Sequence, residues 1–357
     1  MQMIRYPVVF IFVLLFTISA CSRNPSGRDV FQMAATAAKS AKPETRWYIF
    51  GEIAKAEAEH GHYDDALRGW NLTDKFPDQL YADLVSIRAR NGDLAGAKKL
   101  ADMAADGNAK QLSLYAIALV QAERGDTDGA RASIRSLVPQ LQEKVLEAVA
   151  TQQARCGDLD SALKTVSEIE PAWRDGILFV IANQCAARGN KTRAREIAMR
   201  MADRNWARSV GRSPSDPCDL ATQGSESANL AEELNRLNGA NCDCKTVAYI
   251  HEKCGDLIGA EKAMQACVNP AEVSAGMSEL AMRSAAKGNI DAALKFSEAA
   301  HVPGSEFEEH YLTPALRAIG RNWALKDRTA ALRWAEARPD GDQRAMALLG
   351  VAEAIKP

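Results

Sequence analysis

Gly61-His62-Tyr63-Asp64-Asp65-Ala66 opens a series of related blocks, and their spacing decides the fold. The series continues with Gly92-Asp93-Leu94-Ala95-Gly96-Ala97, then with Gly125-Asp126 to Ala130 and Gly157-Asp158 to Ala162. It ends with Gly189-Asn190 to Ala194, Gly255-Asp256 to Ala260 and Gly288-Asn289 to Ala293. The steps between glycines are 31, 33, 32, 32, 66 and 33 residues, and 66 is two periods. A fixed period of this size marks stacked repeats, in which each unit packs only on its neighbours.

Aligning the units on the glycine shows what each is made of. Eight places before it stand Ile53, Leu84, Ile117, Val149, Ile181, Val247 and Leu280. Seven before it stand Ala54, Val85, Ala118, Ala150, Ala182, Ala248 and Ala281. With the apolar residues eleven before, these fall on one helical face. The small side chains let a second helix approach closely. Glycine suits the left-handed end of a helix, and the Asp or Asn after it caps the next one. The unit is therefore helix, tight turn, helix.

These residues resemble the tetratricopeptide repeat, which also sets a small residue seven places before a Gly-Asp turn and an alanine five places after it. His60-Gly61-His62-Tyr63-Asp64-Asp65-Ala66-Leu67 is the nearest unit, and the likeness runs over roughly residues 44 to 340. One feature departs from the family. Its large aromatic four before the glycine is replaced by Glu57, Arg88, Gln121, Gln153, Cys185, His251 and Ser284. The resemblance implies an all-α, right-handed α-solenoid of about nine units, ending in a lone capping helix over 340–355. It also implies that first helices line a concave groove. By register, the partner-binding residues would be Lys55, Tyr115, Glu147, Arg155, Phe179, Asn183, Lys245 and Tyr249. Aromatic, amide and both charges suit a protein or peptide partner.

The N-terminus reads as an export signal. Arg5 precedes an apolar run from Val8 to Ile18, too short to span a membrane as a helix. Ile18-Ser19-Ala20-Cys21 resembles the lipobox of bacterial lipoproteins. The resemblance implies a signal peptide over 1–20, lipidation at Cys21, and a tether over 21–28. Ser22 rather than Asp after the cysteine points to the outer membrane, with the chain facing the periplasm.

Repeats then occupy 29–205 and 242–357, with an irregular insertion over 206–241 where Ser213-Pro214-Ser215-Asp216-Pro217 forbids a helix interior. Of the cysteines, Cys156, Cys185 and Cys267 fall at core-like positions and read as buried thiols. Cys218 is expected to bridge Cys242 or Cys244. A metal site drawn from Cys242, Cys244, His251 and Cys254 fails on spacing, since Cys244 and His251 lie two helical turns apart, roughly 10 Å. His60 and His62 read as solvated turn residues.

Lys+Arg 44 against Asp+Glu 46 gives a net charge of −2, evenly mixed, which excludes a broad nucleic-acid footprint. Phosphate-loop, nucleophile-elbow and zinc-protease motifs do not occur, so no catalytic residue, metal or cofactor is assigned. The expectation is a non-enzymatic, lipid-anchored envelope scaffold. The alternative, a glycan-acting envelope enzyme, requires a closed ring with converging carboxylates.

Overall fold

The computed structural model describes residues 25–70, 78–104, 107–210, 244–253, 255–300, 308–339 and 341–355. Every regular element among them is helical. The first helices of the repeats are α2 (Pro43–Glu59), α4 (Asp78–Arg90), α6 (Asn108–Glu123), α8 (Pro139–Arg155) and α10 (Pro171–Ala187). Their second helices are α3 (Tyr63–Trp70), α5 (Leu94–Met103), α7 (Thr127–Ile134), α9 (Leu159–Ser167) and α11 (Lys191–Ala198). A short α12 (Arg204–Ser209) follows. Beyond the undescribed residues 211–243, α13 (Cys244–Lys253) pairs with α14 (Leu257–Gln265), and α15 (Pro270–Ala286) with α16 (Ile290–Ala299). Then α17 (Glu308–Ala324) pairs with α18 (Arg328–Glu336), leaving α1 (Gly27–Ala38) and α19 (Asp342–Glu353) at the two ends.

Each unit turns as the sequence pattern requires. The seven turn glycines all have positive φ, from 76° at Gly288 to 98° at Gly92. An L side chain there would cost energy that glycine avoids. One carboxylate oxygen of the next residue caps the second helix: Asp93 accepts from Gly96 N–H at 2.7 Å and Asp126 from Gly129 N–H at 2.9 Å. Asp327 caps α18 in the same way although its unit lacks the glycine. Proline opens α2, α8, α10 and α15, where its missing N–H has no partner to lose.

The small residues do what their size allows. Ala54, Ala118, Ala150, Ala182, Ala248 and Ala281 are buried, as are the alanines that follow each glycine. First helices pack on first helices: α2 on α4, α4 on α6, α6 on α8, α8 on α10, and then α13 on α15 and α15 on α17. Successive second helices make no comparable contact. Close first helices and splayed second helices make an inner and an outer layer.

The polar residues that stand where the family has an aromatic are turn locks. In three units this side chain binds the second oxygen of the capping Asp: Arg88 Nε to Asp93 at 2.8 Å, Gln121 Nε2 to Asp126 at 3.0 Å, and His251 Nδ1 to Asp256 at 2.8 Å. The same three units carry Gly96, Gly129 or Gly259 beside the lock, and a Cβ at any of them would collide with the locking side chain. Where that glycine is absent the lock changes. Gln153 instead accepts from Thr165, at 2.9 Å.

The first and last described helices meet. α19 is not a lone cap: it packs on α17, on α2, and most extensively after α17 on α1. α1 lies against it as a second helix lies against its first. Ser26 caps α1 in the position that Asp93 or Asp126 holds elsewhere, and the Ile355 carbonyl abuts Gly27, so that α19 and α1 lie as the two arms of a hairpin. A large apolar cluster straddles this seam, with Val30, Phe31 and Ile53 from one end and Leu316, Met346 and Leu349 from the other. Gly320 and Gly350 let the backbones of α17 and α19 touch, since a Cβ on either would strike a carbonyl of the other helix.

A ladder of hydrogen bonds runs through these steps. The residue before the turn glycine reaches back to the last carbonyls of the preceding first helix. Asn91 bonds the Ala58 carbonyl at 3.1 Å, Arg188 that of Ala154 at 3.0 Å, Lys287 that of Glu252 at 3.4 Å, and Arg124 that of Arg90. Lys326, in the glycine's own place, bonds the Gly288 carbonyl at 2.8 Å. Orphan carbonyls at a helix C-terminus favour such donors, cations above all. His60 Nε2 makes the corresponding rung to the Glu353 carbonyl at 3.2 Å, across 293 residues of sequence. The seam is thus a repeat step like the others.

Candidate functional site

The eight groove residues all lie on inner first helices, and the structure brings three of them into one recess. Tyr115 of α6 and Glu147 and Arg155 of α8 line a hollow of about 300 Å³ with Glu123, Lys144 and Thr151. Two carboxylates and two cations thus flank a phenol. Partial burial, aided by the negative charge of Glu147, raises the Tyr115 pKa above its ordinary value, which keeps the hydroxyl a donor. Larger hollows lie at other places: about 730 Å³ at the N-terminal ends of α6 and α8, and about 670 Å³ outside α1 and α19. Neither carries opposed charges on adjacent inner helices, which is why the smaller recess is the better candidate.

The other five residues are dispersed. Phe179 is half-buried against Trp206 of α12, ring centroids 5.5 Å apart. Tyr249 lies under the Arg283 guanidinium, 4.1 Å from its ring centre. Lys55 is paired with Glu52. Asn183 and Lys245 are half-buried on α10 and α13. Glu123, Lys144 and Thr151 were not singled out from sequence, although Glu123 and Thr151 occupy the same register positions as Arg155 and Lys55. The Trp206 contact had no sequence signal, because α12 lies outside the repeat period.

Carboxylates converge elsewhere, at the seam. Arg317 of α17 donates to Glu353 through Nε at 2.9 Å and Nη2, and through Nη1 to Glu52 of α2. Burial works against the guanidinium's charge, but these two carboxylates hold its pKa above the ordinary value. Tyr48 stands close by, its pKa raised by burial and by Glu52. The arrangement is an ion-pair set joining three inner helices.

The cysteines differ from expectation. Cys244 is bonded to Cys267, with Cα atoms 5.7 Å apart, which ties α13 to the link before α15. Of the two partners expected for Cys218, Cys244 is therefore taken, and Cys267 is no buried thiol. Cys218 and Cys242 lie outside the described residues, as does Cys21. Cys185 is buried as expected, with its thiol pKa raised by burial, but Cys156 is exposed at the helix end. Glu272 stands beside the disulfide, yet two sulfurs bonded to each other offer no thiolate to a metal. No helix among the described residues is long and apolar enough to cross a membrane.

No protein-family model matches this chain, and no curated protein matches it.

Proposed function

We propose that this chain is a tetratricopeptide-like scaffold of about nine units, a right-handed α-solenoid that closes on itself, and that it binds a protein or peptide partner along its inner helices. It is lipid-anchored through Cys21 to the outer membrane and faces the periplasm, as the export signal and lipobox resemblance imply. It is non-enzymatic and needs neither metal nor cofactor. The observation that carries the binding reading is the recess of Tyr115, Glu123, Lys144, Glu147 and Arg155, where both charges and an aromatic meet on adjacent inner helices. Such a recess suits a segment carrying charges of both signs, with the phenol as anchor.

The glycan-acting enzyme remains the second reading, supported by the meeting ends and by Glu52 and Glu353 converging on Arg317. The first reading is preferred because those carboxylates are engaged in holding helices together.

The test is a pull-down from envelope extract with the full chain in detergent. Tyr115→Ala combined with Glu147→Lys should reduce partner recovery by tenfold or more, since central anchors are worth about 2 kcal/mol or more each. Unchanged recovery refutes the recess. Release of glycan fragments by the purified chain, abolished by Glu52→Gln, would favour the second reading.

A further inference from the structure

Five rungs of the carbonyl ladder come from groups that keep an N–H in any protonation state: the Asn91 amide, the Arg124 and Arg188 guanidiniums, and the Lys287 and Lys326 amines. The rung that joins the two ends of the chain comes from an imidazole. Both nitrogens of His60 face carbonyl oxygens, Nδ1 that of Ala56 at 2.9 Å and Nε2 that of Glu353 at 3.2 Å. Carbonyls only accept. A neutral imidazole has one N–H, so only the protonated ring makes both bonds.

Glu57 sits one turn before His60 on α2 and is only 6% exposed. It fills the turn-lock position, where the third unit has Gln121. Phe31 of α1 covers this corner, its ring 5.3 Å from His60 and 6.3 Å from His62. The charged groups around it can be named element by element. α1 brings Arg28, paired with Asp65 of α3 at 2.7 Å, and α3 also brings Arg68. The turn brings His60 and His62. α19 brings Glu353, which Arg317 of α17 takes, and α4 brings Arg88, held by Asp93 and the Tyr63 ring.

We propose that the seam of α1, α2 and α19 is a pH-operated clasp, in which the proton on buried Glu57 lets the His60 corner hold the two ends together and loss of that proton loosens them. Burial raises the Glu57 pKa to about 7, against the pull of Arg68 and Arg28. A carboxyl whose pKa is raised in the closed state supports closure fully below its ordinary value of 4.5, and that support is lost as pH rises to about 7. His62 opposes this: burial, Arg28 and His60 lower its pKa, so its protonation trims the gain at the acidic end. If opening returns Glu57 fully to water, moving from pH 5 to pH 7.5 weakens closure by up to roughly fifty-fold.

Hydrogen exchange on the full chain in detergent reads this directly. Amide protection in α1 and α19, corrected for intrinsic rates and referred to α8, should fall by tenfold or more between pH 5 and pH 7.5. Glu57→Gln installs the residue that another unit uses at this place, Gln121. It should flatten the dependence and keep α1 protected at pH 7.5. A wild-type seam whose protection does not change with pH overturns the proposal. So does an unaltered pH dependence in Glu57→Gln.

Discussion

Replacing Arg317 with Met should loosen the seam more than any other single change to a charged residue. The side chain is 25% exposed, while its partners Glu52 and Glu353 are 12% and 7% exposed. Its removal leaves two nearly buried carboxylates, of which Glu52 keeps a pairing with Lys55. Removing one partner of a fully buried pair costs about 3–5 kcal/mol, because the remaining charge stays desolvated. The exposed quarter of Arg317 admits water and screens the pair, which brings the expected loss to about 2–3 kcal/mol. In a repeat array the loss falls mainly on neighbouring units, so a single melting temperature would blur it. The assay is hydrogen exchange of α19 and α1 amides at pH 7, where protection should drop about thirtyfold or more. Changing Arg317→Met, Glu52→Gln and Glu353→Gln together should recover most of the loss, because uncharged replacement of a whole buried set is close to neutral. A loss below about 0.5 kcal/mol would refute the assignment of these residues to closure.

Three further outcomes concern two helical glycines and the disulfide. Gly259→Ala should cost about 1–2 kcal/mol by displacing His251 from Asp256, whereas Gly69→Ala, with open space around its Cβ inside α3, should gain about 0.5–1 kcal/mol in thermal unfolding. Cys244→Ser should lower stability by about 3 kcal/mol in urea titration, the entropy of the loop it closes with Cys267, and a reducing agent should reproduce the loss in the parent chain.

The hairpins were legible because they depend on contacts within about 32 residues. Gly125, Asp126 and Ala130 announce a turn, a cap and a close crossing whatever lies around them. The turn locks were half legible. Arg88, Gln121 and His251 stood out as departures from an aromatic position, but their target is the second oxygen of a residue whose first oxygen was already assigned to capping. The ladder donors Asn91, Arg124, Arg188 and Lys287 align in the column before the glycine, yet a lone column of polar residues does not say which carbonyl they reach. Closure was not legible. Val30, Phe31 and Leu349 read as ordinary apolar helix positions, and nothing local tells α1 that its partner stands some three hundred residues on. For the same reason His60 and His62 read as solvated, when Phe31 in fact covers them. Register found Tyr115, Glu147 and Arg155 of the recess, while Trp206 and Arg283, beside Phe179 and Tyr249 outside it, entered through elements or contacts that the period does not describe.

The central claim is that the first and last helices form one composite hairpin. An ideal Cβ on Gly27 would lie 3.4 Å from the Cβ of Ile355, close to disulfide spacing. The full chain carrying Gly27→Cys and Ile355→Cys should oxidise to an intramolecular bridge between these residues, identified by peptide mass under non-reducing conditions, with helicity unchanged. Free thiols at both sites, or bridges formed only between chains, would contradict the account.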